Sequence, residues 1–252
     1  MKTLVTRNTE FKDGSVRICI PVTGITEKEI YSQTEEAINA GADLVEWRAD
    51  WFEAVHDLHN ICHVLRQLRS MLDDIPLLFT FRTIKEGGKT ELSVSEYENL
   101  ISKAIHSGSI DLVDIELFVS DEVTERLVSL ARKHNVLTVI SSHDFEKTPD
   151  TAEMIRRLER MKELGADLPK LAVMPQNKKD VFWLMGAAAQ FTSSYNCPCI
   201  AISMAKEGKI SRISSESFGS VITFGCAGRA SAPGQIPAEE LRSILNQLHK
   251  TL

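Results

Sequence analysis

The feature that most constrains this chain is a rhythm. Apolar, β-rich runs recur at residues 16–22, 43–48, 76–83, 111–117, 136–141, 169–174, 198–204 and 221–224. Between them lie stretches with helical period or helix-forming composition, at 26–40, 58–71, 95–106, 121–133, 151–164 and 178–192. A short serine-rich connection at 206–220 and a last helix at 237–249, with Pro237 suited to its first turn, complete the series. Strands that alternate with helices build parallel sheets, because parallel neighbours need a crossover connection. Eight repeats in 252 residues fit a (β/α)8 (TIM) barrel, read as one domain over 1–252. An open doubly wound sheet is the alternative, but neither G-x-G-x-x-G after the first strand nor a GK[ST] loop is present. The first 14 residues are polar, with a turn signal at Lys12-Asp13-Gly14, and suit a short hairpin capping one end of the barrel.

Parallel strands usually read as continuous apolar runs, and several of these do not. Alternation places Glu46 and Arg48 on one face of the second strand, with Val45 and Trp47 opposite. The same rule pairs Thr80 with Arg82 against Phe79 and Phe81, and Asp114 with Glu116 against Val113, Ile115 and Leu117. The fifth strand runs into His143, and the sixth carries Lys170 near its start, in Leu168-Pro169-Lys170-Leu171-Ala172-Val173. The bulky faces belong against the outer helices, so the charged faces converge on the barrel axis. An ammonium is rarely buried unless it is paired. Burial also disfavours the charge of any amine, which favours a nucleophile. A structural ion pair is the other reading of Lys170. So many ionisable groups in one interior are better explained by a small polar ligand than by packing.

Three further segments sit where loops should follow strands. Glu86, ahead of Gly87-Gly88, is placed to orient a histidine ring and favour its charged form. Arg212 carries a guanidinium fork suited to a carboxylate. The run Gly228-Arg229-Ala230-Ser231-Ala232-Pro233-Gly234-Gln235 suits a closing loop. For each, a solvated loop residue is the plainer alternative.

A net charge of −6 gives no reason to expect a nucleic-acid or membrane-surface partner. Five scattered cysteines make no disulfide framework, and the start of the chain has no apolar signal core, so a reduced, soluble, cytoplasmic protein is expected. The most apolar window, around 181–191, is too short to span a bilayer. No HxH or HExxH spacing occurs, so no metal is expected.

The motifs in order, Glu46-Trp47-Arg48-Ala49-Asp50, Phe79-Thr80-Phe81-Arg82, Lys85-Glu86-Gly87-Gly88, Asp114-Ile115-Glu116-Leu117, Ser142-His143-Asp144-Phe145, Gly165-Ala166-Asp167-Leu168-Pro169-Lys170, Met204-Ala205-Lys206-Glu207-Gly208, Ser211-Arg212 and Ser231-Ala232-Pro233-Gly234-Gln235, closely resemble those of the type I 3-dehydroquinate dehydratases of the shikimate pathway. The resemblance runs the whole length. It implies a (β/α)8 barrel that dehydrates 3-dehydroquinate through an imine on Lys170, with His143 as general acid and base and Glu86 supporting it. It places Glu46, Arg48, Arg82, Arg212, Ser231 and Gln235 against substrate hydroxyls and carboxylate. It further implies a homodimer and no cofactor. Many members carry a serine late in the first barrel strand, where this chain has Pro21, with Thr23 the nearest hydroxyl beyond it. Another Schiff-base barrel such as a class I aldolase, a metal-dependent hydrolase and a non-catalytic binding barrel are the competing readings.

Overall fold

The structure is a computed structural model that describes residues 3–228 and 232–250. A two-stranded antiparallel hairpin, β1 (Leu4–Thr6) and β2 (Thr9–Phe11), precedes the main sheet. Eight parallel strands follow: β3 (Arg17–Val22), β4 (Leu44–Arg48), β5 (Leu77–Thr80), β6 (Leu112–Glu116), β7 (Leu137–Asp144), β8 (Leu168–Val173), β9 (Ile200–Ser203) and β10 (Ile222–Cys226). From β3 to β9 each pairs with the next, and β10 pairs with β3. The remaining seam closes through the parallel bridge Cys199–Ser220, where the Val221 amide donates to the Cys199 carbonyl at 3.0 Å. The chain is therefore a closed (β/α)8 barrel, as its rhythm predicts.

The helices between the strands are α1 (Glu27–Asn39), α2 (Leu58–Leu72), α3 (Val94–His106), α4 (Asp121–Lys133), α5 (Thr151–Glu163), α6 (Lys178–Tyr195), the short α7 (Lys209–Ile213) and α8 (Ala238–His249). Their starts are written locally. Thr26 with Glu29 and Ser93 with Glu96 form capping boxes that satisfy free amides of the first turn. The apolar stripes of these helices, such as Leu65 and Leu68 on α2 or Leu127 on α4, pack on Val45, Trp47, Phe79, Val113 and Ile115 from the outer faces of the strands.

Inside the ring the side chains form layers. Cys19, Leu44, Leu78, Leu112, Val139, Leu168, Ile200 and Ile222 make an apolar floor, joined by Leu4 and Phe11 of the hairpin. Phe11 is fully buried, and a side chain of that size stabilises by about 1.5–3 kcal/mol when removed from water. The hairpin thus seals the amino-terminal end of the barrel, as expected. Its turn falls at Arg7, at φ 48°, while residues 12–14 sit inside a separate bridge between Lys12 and Ser15. Two residues further along five of the strands the floor gives way to Glu46, Thr80, Asp114, Ser141 and Lys170, while β3, β9 and β10 present Pro21, Ile202 and Phe224.

Two strand ends differ from the sequence reading for clear local reasons, and the 206–220 connection is as short of helix as its serine-rich composition suggests. The third barrel strand ends at Thr80 and not near residue 83. Beyond it the Arg82 amide turns to the Asp50 carboxylate (3.4 Å) and the Thr83 amide to Glu116 (2.8 Å), so the chain leaves the ladder. The fifth runs on to Asp144, because β8 continues beside it and pairs His143 with Ala172. His143 thus lies on a strand and not on the loop after it. The connection at 206–220 holds only α7 and a 3-10 turn, Ser215–Phe218. A two-residue strand, β11 (Ile236–Pro237), adds beside β10 before α8 begins.

Candidate active site

The polar layer opens at the carboxyl ends of the strands into a cavity of about 250 Å³. At its base is Lys170 of β8, which is 3% exposed. Its Nζ donates to Asp114 Oδ2 at 3.2 Å, lies 3.6 Å from Glu46 Oε1, and sits 4.8 Å from the centroid of the Phe224 ring. Asp114 also meets Arg82 at 2.8 Å and accepts from the Ser141 hydroxyl at 2.6 Å. Burial opposes its charge, but Arg82, Lys170 and Ser141 outweigh burial and hold its pKa below the usual range. The recorded ionic partners of the lysine are therefore carboxylates. Arg82 is committed to Asp114, Glu116 and Glu86, at 2.8, 2.9 and 3.5 Å.

His143 stands on the neighbouring strand. Glu86 Oε2 accepts from the His143 backbone amide at 3.0 Å and lies 2.9 Å from Nδ1 of its ring. The sequence reading has Glu86 raising the pKa of this histidine. Instead burial, then the cations Arg82, Lys170 and Arg48, push it well below the ordinary value of 6.5. Burial drives Glu86 the other way, to about 8, with Glu116 and Asp114 adding to the shift and Arg82 opposing it. Together the shifts describe one coupled unit. Burial favours the uncharged form of each, a carboxyl group beside a neutral imidazole. Gly88 makes the loop carrying Glu86 possible: a Cβ there would lie 1.8 Å from the Arg82 carbonyl oxygen.

Two arginines differ in how they are held. Arg48 makes a bidentate pair with the buried Asp50 (2.7 and 2.9 Å). Asp50 also receives the amide of Lys89 at 3.2 Å, so one carboxylate joins the loops after β4 and β5. Arg212, 2% exposed, has no acidic partner among the described residues. Its Nη atoms donate to the carbonyls of Phe224 (3.3 Å) and Pro233 (3.2 Å), and its buried Nε has no partner among the described residues. Burial lowers its pKa to about 10, which Cys226 only slightly offsets. A buried guanidinium without a counter-charge is an anion site in waiting. The loop after β10 reaches it because Gly234, at φ 83°, packs where a Cβ would lie 2.2 Å from the Ala205 carbonyl oxygen.

Of the residues singled out in the sequence, Glu46, Arg48, Arg82, Glu86, His143, Lys170, Arg212 and Gln235 all line this one cavity. Ser231 lies outside the described residues. Pro21 also faces the cavity, whereas Thr23 does not line it and its amide is held by Gln33. Asp50 escaped the sequence reading. It lies past the end of β4, where strand alternation no longer reports direction, and only its spacing of two from Arg48 hints at the pair. Phe145, Met204 and Phe224, which form apolar wall, carry no signal that separates them from core.

A closed parallel barrel with a buried lysine, a histidine–glutamate pair and an acid-free arginine at the carboxyl ends of its strands is the architecture of a barrel enzyme. The sequence matches the family model for type I 3-dehydroquinase over residues 18–252. It is 47% identical to the 3-dehydroquinate dehydratase of Clostridioides difficile (strain 630) over 247 residues, covering 98% of this chain and 97% of that one. It is also 47% identical to the Bacillus subtilis (strain 168) 3-dehydroquinate dehydratase over 251 residues, 99% and 98% of the two chains. The crystal structure of the type I 3-dehydroquinate dehydratase from Clostridium difficile with covalently modified comenic acid superposes with a TM-score of 0.96 at 46% identity, over 100% of this chain and 99% of that one. This chain belongs to the type I 3-dehydroquinase family. Among its described residues no helix is long and apolar enough to cross a membrane.

Proposed function

We propose that this chain dehydrates 3-dehydroquinate to 3-dehydroshikimate, the third step of the shikimate pathway, through an imine on Lys170. The observation that supports this best is the arrangement around one cavity. It brings a lysine, a proton-carrying pair and a buried arginine lacking any acid together. The substrate is a β-hydroxy ketone bearing a carboxylate. Its α proton is weakly acidic, and a protonated imine supplies the electron sink for its removal.

Asp114 and Glu46 stand next to the lysine and hold its Nζ in the cavity, and His143 takes up its excess proton, so that the amine attacks the ketone carbon, and returns that proton to the departing oxygen. The carbonyl oxygen leaves as water, and an iminium remains. His143 then removes the α proton, the electrons pass into the enamine, and their return expels the β hydroxyl, which His143 protonates. Water finally adds to the product iminium and releases Lys170. Glu86 holds Nδ1 throughout, leaving Nε2 as the working nitrogen. Arg212 takes the substrate carboxylate. Arg48, fixed by Asp50, and Glu46 meet the hydroxyls, while Arg82 contributes by holding Asp114, Glu116 and Glu86 in place. Gln235, which lines the cavity from the segment after β10, covers the substrate and excludes water. The described residues after β9 and β10 bring Arg212 and Gln235 to the cavity, which suits a carboxylate and hydroxyls better than the phosphate of an aldolase substrate.

The test is direct. Addition of 3-dehydroquinate to the protein should produce the rising ultraviolet absorbance of a conjugated enone. No rise at high protein concentration would remove this reading and leave the fold standing.

A further inference from the structure

A second cavity, of about 330 Å³, lies behind the first, between the loop carrying Glu86, the start of α3 and the ends of β6 and β7. Among the described residues just two, Glu86 and His143, line both cavities. The acid–base pair is thus the partition between them. The inner end of the second cavity is polar, with Thr83, Glu116 and Ser142 beside the pair. Its mouth is formed by Ile84, Val94 and Phe118, which are 53, 49 and 63% exposed, so it communicates with solvent. Glu86 Oε2 carries all the hydrogen bonds recorded for that carboxyl, to Arg82 and His143, and Oε1 is bonded to no described residue.

The chemistry needs such a space. The first cavity must be filled by the substrate ring and shielded from bulk water, or the imine hydrolyses early. Yet a pair that both accepts and donates protons has to settle its own protonation between turnovers and during them. A polar, water-sized space with several partners holds ordered water, and water bonded to a carboxyl links it to solvent.

We propose that this second cavity is a water chamber through which the Glu86–His143 pair exchanges protons with solvent while the substrate cavity is occupied. The exchange runs from His143 Nδ1 through the Glu86 carboxyl to chamber water, and one proton leaves for each that enters. It rests on the roles given above to Lys170 and His143.

The test uses the full chain, labelled with 15N-histidine, after borohydride and 3-dehydroquinate have locked a reduced adduct on Lys170 and filled the first cavity. In the wild-type adduct the His143 ring N–H should exchange with water too fast to give a sharp resonance. Val94 and Leu92 line the chamber and have no assigned role in the chemistry, and Val94→Trp and Leu92→Trp each put a ring where its water would lie. In either adduct the N–H signal should appear and decay slowly in deuterated water. A protected ring N–H in the wild-type adduct overturns the proposal. So does equally fast exchange in both filled variants. If no adduct forms at all, the failure lies in the imine reading on which the proposal depends.

Discussion

Replacing Arg212 by Met should make the free protein more stable and the enzyme much worse. In the empty site this guanidinium is buried, and its pKa is lowered from 12.5 to about 10. At about 1.4 kcal/mol per tenfold change in proton affinity, its charge costs on the order of 3 kcal/mol of folding stability. The pKa is depressed in the folded state, so the charged form carries that cost fully below about pH 10, and the cost vanishes only above the unfolded value of 12.5. Methionine fills similar volume and removes the charge. The lost bonds to the carbonyls of Phe224 and Pro233 return about 1 kcal/mol each. The balance is a stabilisation of about 1 kcal/mol, or roughly 2–4 °C in Tm for a chain of this size. Losing the charge-assisted bond to the substrate carboxylate costs about 2–5 kcal/mol, a fall in kcat/KM of roughly 30- to 5000-fold, most of it in KM. Thermal melts without ligand and steady-state kinetics read both effects. A Tm several degrees lower, together with an unchanged KM, would refute the reasoning and make Arg212 a structural residue.

Other outcomes follow from the same geometry. His143→Ala should lower kcat by about 10²–10⁴-fold, while borohydride trapping of the substrate at Lys170 continues slowly; equal loss of trapping and turnover would assign the histidine wholly to imine formation. Glu86→Gln should erase an ionisation near pH 8 from the pH profile of kcat/KM. It should also change the pH dependence of stability. A carboxyl with a raised folded-state pKa contributes stability below its unfolded value, lost as pH rises through about 8, so the Gln variant should gain on wild type between pH 4.5 and 8 in denaturant titrations. Asp50→Asn should raise KM more than it lowers kcat, because it frees Arg48 without touching Lys170 or His143. Gly88→Ala should impair turnover by displacing the loop that carries Glu86, since the added Cβ collides with the Arg82 carbonyl; normal kinetics in that variant would deny the loop its positioning role.

The barrel was legible because its two periods are cleanly written. Strand runs alternate with amphipathic helices, and the inward positions of alternate strands carry Glu46, Asp114 and Lys170 where a barrel core would place apolar side chains. Alternation told which way these groups point as long as the strand lasted. It failed at the ends. Arg82 and Asp50 lie beyond the ladder and are placed by hydrogen bonds between loops, which spacing does not encode. The apolar strand run stops at Ser141, short of His143, because the polar run Ser141-Ser142-His143-Asp144 resembles a strand end. The partner strand β8 continues beside it and keeps it in the sheet. The charge states were least legible. The ionic environment of Lys170 depends on Asp114, 56 residues and two strands earlier in the chain yet 3.2 Å away in space. The shifts of Glu86 and His143 come chiefly from burial, which the sequence indicates only through position.

The central claim is that Lys170 forms a covalent imine with the substrate, and trapping tests it most directly. Protein incubated with 3-dehydroquinate and borohydride should gain the mass of a reduced adduct, and peptide mapping should place it on Lys170. Lys170→Ala should gain no mass under the same conditions. An adduct on another lysine, or labelling of Lys170→Ala to the wild-type extent, would contradict the account.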